Sequence, residues 1–456
     1  METFDLKDKR VVVVGLGLSG VAACRLLASR GAHVVGTDSK KTVSDDVRAL
    51  EKEGVRLVLG GHAEAGLETA DLVVVSPGVP SFPELVAAEM AKVPIWGEVE
   101  LAVRAVNASA AAAGRALPRV VAVGGTNGKS TTTSLVGALL EAHGLKTFLG
   151  GNLGEPLASH ADEAWDVVVL EVSSFQMERV DAFHPQVSIL LNVTPDHLDR
   201  YPSMEAYAAA KGNAFVLQRS TDVAVVPVRD DVCIAQAKRG RGTIVQFGPG
   251  GDLDVTDEAV IDRASGVAYE RSKMRLQGGH NALNVAAAIG AVRPFGLTPD
   301  TIRSVLASFE GLAHRMALVA EVKGVRYYDD SKGTNVGASV TAVRGVVEPK
   351  VVLIAGGRDK GGSYGPLVSA LRDKGRAAVV IGEAADVIAS AIGDAVPVRR
   401  ASSMDDAVVL SSELAREGDA VLLSPACSSF DMFRDYKHRG DAFVDAVKNL
   451  SSRGVA

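Results

Sequence analysis

Gly124-Gly125-Thr126-Asn127-Gly128-Lys129-Ser130-Thr131 is the stretch that decides the fold. The apolar run Val120-Val121-Ala122-Val123 precedes it and reads as a buried strand. A helical pattern follows, with Leu135, Val136, Leu139 and Leu140 on one face and a stop at Gly144. Strand, glycine turn, then a helix N-terminus with Lys and Ser/Thr is the geometry that holds a triphosphate. Backbone N–H groups and the helix dipole face the anion, the lysine neutralises charge, and a hydroxyl reaches Mg²⁺. The standard loop has four residues between its first glycine and its Gly-Lys pair. Val123 stands at that position, so this is a shorter variant. The spacing predicts ATP binding by Gly125, Thr126, Asn127, Gly128, Lys129, Ser130 and Thr131.

The chain has 456 residues, which suggests three domains of roughly 150 residues each. A hydrophobic content of 47% is ample for several cores, and a formal charge of −6 argues against coating nucleic acid. Cys24, Cys233 and Cys427 are scattered without pairing or metal spacing, which suits a reducing compartment. The charged start, Met1 to Arg10, runs into a strand rather than a cleavage site. No apolar stretch approaches the ~20 residues of a membrane span. The expectation is a cytoplasmic protein with no membrane partner.

Before the loop, strands and helices alternate. Val11–Val14 is a strand, followed by Gly15-Leu16-Gly17-Leu18-Ser19-Gly20 and a helix through Ala28. The next strand, Val34 to Asp38, ends in an acid 18 positions after Gly20. This satisfies the dinucleotide fingerprint, whose physics fits any diphosphate on a nucleoside, NAD being only one of them. The strand Leu72–Val75 ends in Ser76-Pro77-Gly78, a second small-residue turn at a strand's carboxyl end, where open α/β sheets bind ligands. Asn107 to Pro118 is Ala-rich, ends in proline, and reads as a linker or an extended helix end, hence a boundary.

After the loop, Asp166–Leu170 is a buried strand that delivers Glu171, the expected position of a Mg²⁺ ligand. The strand Val187–Asn192 opens into Val193-Thr194-Pro195-Asp196-His197-Leu198-Asp199-Arg200-Tyr201, and Lys211 sits in a helix from Met204 to Phe215. Asn281 and Asn284 share one face of a helix running to Ala291, where they could read an adenine edge or phosphates, or cap the helix. Gly311-Leu312-Ala313-His314-Arg315 marks the second boundary. The last third alternates again, with strands at Val325–Tyr328, Val351–Ala355, Ala377–Ile381 and Ala420–Leu423. Three of their ends carry polar loops: Asp329 to Asn335, Gly356 to Lys360, and Ser424 to Ser429. Loops at the same ends of parallel strands converge, and their hydroxyls and lysines suit a small dicarboxylate. Cys427 has no histidine near it in sequence and reads as a small packed residue.

Taken in order, the phosphate loop, Glu171-Val172-Ser173-Ser174-Phe175-Gln176, Asn192 to His197, Gly279-His280-Asn281 with Asn284, His314-Arg315 and Asp330-Ser331-Lys332 resemble the Mur ligases. These are the ATP-dependent amide-forming enzymes of peptidoglycan assembly. Gly15–Gly20 and Leu423 to Phe433 are similar to the D-glutamate-adding branch. The resemblance implies an α/β chain of three domains. These are a Rossmann-like UDP-sugar domain at 1–107, a central P-loop-type ATPase domain with a mostly parallel sheet at 108–312, and a Rossmann-like amino-acid domain at 313–456. The implied activity is addition of D-glutamate to UDP-N-acetylmuramoyl-L-alanine through an acyl phosphate, by a monomer.

The same resemblance implies roles residue by residue. Leu18, Ser19, Asp38, Ser39, Ser76, Gly78, Asn152, Gln176 and His197 would line the UDP-sugar path. Asn284, Arg315 and Asp330 would contact ATP, while Lys332, Thr334, Lys360, Ser429, Phe430 and Tyr436 would hold D-glutamate. Tyr436 stands where the family commonly has Phe. Lys129 and one Mg²⁺ on Ser130 or Thr131 and Glu171 would serve the phosphates, and a second Mg²⁺ would use His197 and Lys211. An ammonium cannot ligate a metal, so the resemblance implies that Lys211 is carbamylated. The three-domain layout implies that the third domain closes on the second once nucleotide binds, excluding water from the acyl phosphate. Three rival readings stand beside it. They are a folylpolyglutamate synthetase-like ligase, a nucleotide-binding relative without catalysis, and an NAD-dependent oxidoreductase with an added ATP domain.

Overall fold

The computed structural model describes residues 4–198, 200–312, 314–360 and 363–453. Asp199 of the strand-end loop and Ala313 at the second expected boundary lie outside the described residues. Two compact units divide the chain. The first is Met1–Val193, Glu205–Gln277 and Asn281–Phe309; the second is Thr194–Met204, Gly278–His280 and Glu310–Ala456.

The first unit holds two sheets. Strands β1 (Arg10–Val14), β2 (His33–Asp38), β3 (Arg56–Leu59), β4 (Leu72–Val75) and β5 (Ile95–Gly97) form a parallel sheet in the order β3-β2-β1-β4-β5. The all-valine runs in β1 and β4 are buried because helices cover both faces of a parallel sheet. The chain runs outward from β1 on one side and from β4 on the other. The crevice between β1 and β4 is therefore the topological switch point, where ligands bind.

Strands β6 (Arg119–Gly124), β7 (Thr147–Gly151), β8 (Val167–Glu171), β9 (Val187–Leu190), β10 (Val223–Pro227) and β11 (Thr243–Phe247) begin the second sheet. Strands β12 (Leu253–Val255), β13 (Ala259–Asp262) and β14 (Val267–Glu270) complete it, in the order β14-β13-β12-β11-β10-β9-β6-β8-β7. Only β12–β13 and β13–β14 pair antiparallel. These strands of three or four residues carry too little periodicity to be read from sequence.

The Ala-rich segment is not a linker as far as Ala112. It is the end of a helix, Glu98–Ala112, which stops where Gly114 takes φ +64°. Alanine has the highest helix propensity, so low complexity here extends the helix. The boundary expected after Asn107 thus falls inside that helix. Its residues Val99, Leu101, Ala102, Ala105 and Val106 share one apolar cluster with Val11 and Val13 of β1 and with Val120, Ala122, Val168 and Leu170 of the second sheet. The two sheets of the first unit are joined by a core.

The second unit holds β15 (Ala317–Val322), β16 (Val325–Asp329), β17 (Val351–Gly356), β18 (Gly375–Ile381), β19 (Val398–Arg400) and β20 (Ala420–Leu423), in the order β15-β16-β20-β17-β18-β19. Only β15 pairs antiparallel. Strands β16, β20 and β17 are neighbours, so the three polar loops anticipated from sequence leave one edge side by side. Among the described residues, no helix is long and apolar enough to cross a membrane.

Candidate functional site

The phosphate loop connects β6 to the helix Lys129–Ala142. Gly125 has φ +141° and Gly128 φ +85°, in the region that favours glycine. A Cβ on Gly128 would collide with the amide oxygen of Asn284, so that buried asparagine lies against the loop. Asn284 in turn donates to Asn281 Oδ1 at 3.2 Å, as their spacing on one helical face predicts. Asn192, two residues beyond β9, braces the loop. Its carbonyl accepts from Thr126 N at 3.0 Å, and its side chain exchanges bonds with Asn127 at 2.9 and 3.1 Å.

Two lysines reach this loop. Lys129 Nζ donates to Thr126 O and Lys211 Nζ to Gly125 O, both at 2.8 Å. Lys211 is 5% exposed and lies 4.5 Å over the Tyr207 ring, whose hydroxyl is 3.2 Å from Thr126 Oγ1. Its helix ends at Gly212, one turn earlier than expected. Tyr207 was not anticipated, because an aromatic in a helix carries no signal of its own.

Glu171 ends β8, level with Val123 of β6, and is 1% exposed. Its Oε1 accepts from Asn152 Nδ2 at 2.6 Å, and its carbonyl accepts from Asn152 N at 2.9 Å. Ser130 and Thr131 are buried in the first turn of the helix. Hydroxyls and a carboxylate on neighbouring strand ends form an oxygen donor set that suits Mg²⁺. Among the described residues, no group of three or more His, Cys, Asp or Glu gathers as a metal cage. Few protein ligands fit an ion that takes the rest from water and phosphate. His197, at φ +54°, belongs to the second unit, where its N–H donates to Asp196 Oδ1 at 3.0 Å.

In the crevice of the first sheet, Leu18 is 69% exposed and Ser19 half-buried at the start of the helix Leu18–Ser29. Gly20 is required there, since a Cβ would run into the Gly15 carbonyl. Ser76 Oγ donates to Gly15 O at 2.6 Å, while Ser39 and Gly78 are exposed beside it. Asp38 also serves the turn itself. Its two oxygens accept from Leu16 N at 2.8 Å and Lys40 N at 2.9 Å, so it braces the glycine turn. Gln176 is likewise engaged, in a capping box with Ser173. The stacked pair His62–Phe82, with centroids 4.3 Å apart, was not anticipated; it joins the loops after β3 and β4.

In the second unit, Lys332, Thr334, Lys360, Ser429, Phe430 and Tyr436 all lie in or just beyond the loops after β16, β17 and β20. Lys332 Nζ stands 3.9 Å over the Tyr436 ring, so the tyrosine keeps an aromatic contact. Lys360 Nζ lies 3.6 Å from Asp196, whose other oxygen accepts from Asn335 at 3.2 Å. Ser429 is buried and Phe430 is 65% exposed. Asp330 accepts from Ser424 Oγ at 2.7 Å, and burial pushes its carboxyl up to about 7. Next to Arg315, His314 Nδ1 sits 2.6 Å from Asp329. Cys427 is packed beside Tyr364, 3.2 Å from its hydroxyl, and burial pushes the thiol up to about 11. Burial thus disfavours the thiolate, the form a nucleophile needs.

Comparison with known proteins agrees with this layout. Family models match in order: the Mur ligase MurD-like N-terminal domain at 9–97, the Mur ligase middle domain at 123–292, and the Mur ligase glutamate ligase domain at 314–427. The UDP-N-acetylmuramoylalanine–D-glutamate ligase of Trichlorobacter lovleyi is 42% identical over 463 residues, covering 98% of this chain and 100% of the relative. The structure of UDP-N-acetylmuramate-alanine ligase MurC from Thermotoga maritima aligns with a TM-score of 0.61 at 20% identity, over 97% of this chain and all of that one. Mycobacterium tuberculosis folylpolyglutamate synthase complexed with ADP aligns with a TM-score of 0.58 at 16% identity, over 77% of this chain and 94% of that one. These two likenesses show the shared fold alone, so the folylpolyglutamate synthetase reading keeps no more than that. With three matching domains in sequence and a relative matched from end to end, this chain belongs to the Mur ligase family.

Proposed function

We propose that this protein joins D-glutamate to UDP-N-acetylmuramoyl-L-alanine at the expense of ATP, in peptidoglycan precursor synthesis. The observation that carries the reading is the end-to-end match to D-glutamate ligases, together with a phosphate loop whose two lysines are in place. The UDP-sugar takes the crevice of the first sheet, near Leu18, Ser19, Ser39, Ser76 and Gly78, with Asp38 as brace. Asn152, Gln176 and His197 complete its path. ATP takes the loop Gly125–Thr131 with Asn284, Arg315 and Asp330. D-glutamate takes the strand-end loops of the second unit, at Lys332, Thr334, Lys360, Ser429, Phe430 and Tyr436. We assign the domains to 1–107, 108–312 and 313–456, with the helix Glu98–Ala112 crossing the first boundary. We read the protein as a monomer of the cytoplasm, where ATP and UDP-linked sugars are available.

A carboxylate is a poor electrophile, and an amine cannot displace oxide from it. The L-alanyl carboxylate attacks the γ-phosphorus of ATP, the bond to ADP breaks, and an acyl phosphate forms. The neutral amine of D-glutamate then attacks the acyl carbon, phosphate leaves, and the nitrogen loses a proton. The first step sets two anions against each other, so cation clamping is the main demand on the protein. Lys129 and the loop N–H groups meet the phosphates. Ser130 or Thr131 with Glu171 would hold one Mg²⁺, and His197 with carbamylated Lys211 a second. Bound Mg²⁺ supplies charge neutralisation on the phosphate and carboxylate oxygens.

The test is ATP-dependent phosphate release with Mg²⁺, UDP-N-acetylmuramoyl-L-alanine and a panel of amino acids. Release with D-glutamate only, lost in Lys129→Ala, is the expected result. Release with another amino acid overturns the acceptor assignment, and release with none overturns the reaction.

A further inference from the structure

Arg439 lies on the helix Tyr436–Arg453, one turn after Tyr436 and outside every motif singled out above, and is 1% exposed. Its guanidinium is spent on three strand ends. Nε donates to Ser331 Oγ at 3.0 Å and Nη2 to Ser331 O at 2.8 Å, beyond β16. Nη1 donates to Cys427 O at 3.2 Å, beyond β20, and to Gly356 O at 3.5 Å, at the end of β17. Ser331 Oγ passes the connection on, donating to Tyr436 O at 2.8 Å. Among the described residues no carboxylate stands within ion-pair distance of this group; Asp329, Asp330 and Asp431 act on it only from farther away. Burial lowers its proton affinity to about 10, so it stays charged at neutral pH. The next residue, Gly440, has no room for a Cβ, which would collide with the His314 ring and lie 2.9 Å from Asp329 Oδ2. The helix is therefore seated tightly on the strand ends.

Burying a cation without a contacting anion carries a desolvation cost that an apolar residue of similar volume would avoid. The fork geometry offers what an apolar residue cannot, a fixed spacing between three separate carbonyls. The loops it joins are the ones that carry Lys332 and Thr334, Lys360, and Ser429 and Phe430. Lys360 is shared with Asp196 and Lys332 rests on Tyr436, whereas Arg439 holds a charge that cannot swing away.

We propose that Arg439 is a positioning residue for the amino-acid acceptor. Its guanidinium sets the spacing of the three strand-end loops and holds a positive charge beneath the crevice that receives a dicarboxylate amino acid. This rests on the ligase reading above. In steady-state kinetics, Arg439→Lys raises KM for D-glutamate roughly tenfold or more, while KM for ATP and for the UDP-sugar changes by less than roughly twofold. Arg439→Met raises it further, so lysine gives partial rescue. Formation of ADP in a single turnover without D-glutamate survives in both. Ser331→Ala, which keeps the charge and removes one acceptor, shifts the same KM in the same direction. Should Arg439→Met fail to fold, Arg439→Lys and Ser331→Ala still decide. An equal rise in all three KM values, or an unchanged KM for D-glutamate, overturns the proposal. Wild-type protein run alongside separates the two failures. If it ligates no D-glutamate, the reaction assignment falls and this inference with it. If it does and the variants keep its KM, this inference falls alone.

Discussion

Lys211 Nζ donates to the carbonyl of Gly125 at 2.8 Å, inside the turn that is to hold the triphosphate. A lysine 86 residues downstream thus ends at the phosphate loop, buried and stacked on Tyr207. Carbamylation turns this cation into a carboxylate-like oxygen donor, which is what a second Mg²⁺ needs. Intact mass spectrometry under bicarbonate should show a gain of one CO₂ that Lys211→Arg lacks. Both Lys211→Arg and Lys211→Ala should lower kcat by roughly 10²–10³. Full activity in Lys211→Arg, which keeps the charge and cannot be carbamylated, would sink the idea.

Asp38 gives the second prediction. Its carboxylate accepts from the N–H groups of Leu16 and Lys40, so removing it acts on the UDP-sugar site through the glycine turn. Asp38→Ala should cost about 2 kcal/mol of stability, the scale of a hydrogen bond to a charged group. It should also raise KM for the UDP-sugar as the glycine turn loosens. Direct contact with the ribose would instead raise KM with no change in the urea midpoint.

These two residues show how far the sequence could be read. The phosphate loop was legible because its chemistry is local, with glycines, Lys129 and Ser130 in one turn. The three sheets were legible because their central strands are continuous valine, leucine and isoleucine runs. What a side chain does once folded was not. Asp38 has the fingerprint position of a ribose ligand, and that position alone does not reveal the bonds from two nearby amides. Arg439 bonds to residues 12 to 108 positions away and Tyr207 reaches Thr126 81 positions away, and no spacing rule encodes these contacts. The Ala-rich segment left two readings open, a linker or an extended helix end, because composition alone does not separate them; the helix end is what forms as far as Ala112.

The cysteines give a third prediction. All three are buried, and burial pushes Cys427 up to about 11, Cys24 up to about 12 and Cys233 upward as well. Thiolate is the reactive form, so native protein at pH 8 should resist iodoacetamide and keep its activity. Denatured protein should take up three labels per chain. Rapid loss of activity with one label on native protein would restore Cys427 as a reactive group.

Glu98 gives the last. It opens the helix Glu98–Ala112, is buried, and accepts only a 3.4 Å bond from Ala158 N. Desolvation raises its carboxyl from 4.5 to about 7, so the native state holds the proton more tightly than the unfolded chain. Its contribution to stability is therefore full below pH 4.5 and is lost as pH rises through 7. Glu98→Gln keeps an acceptor for Ala158 and carries no charge. The variant should unfold at higher urea than wild type at pH 8, by a free energy on the order of 3 kcal/mol. Near pH 4.5 the two should coincide, because both side chains are then neutral in the folded state. A difference of the same size at both pH values would mean that shape rather than charge decides, and that the buried carboxyl is not what titrates.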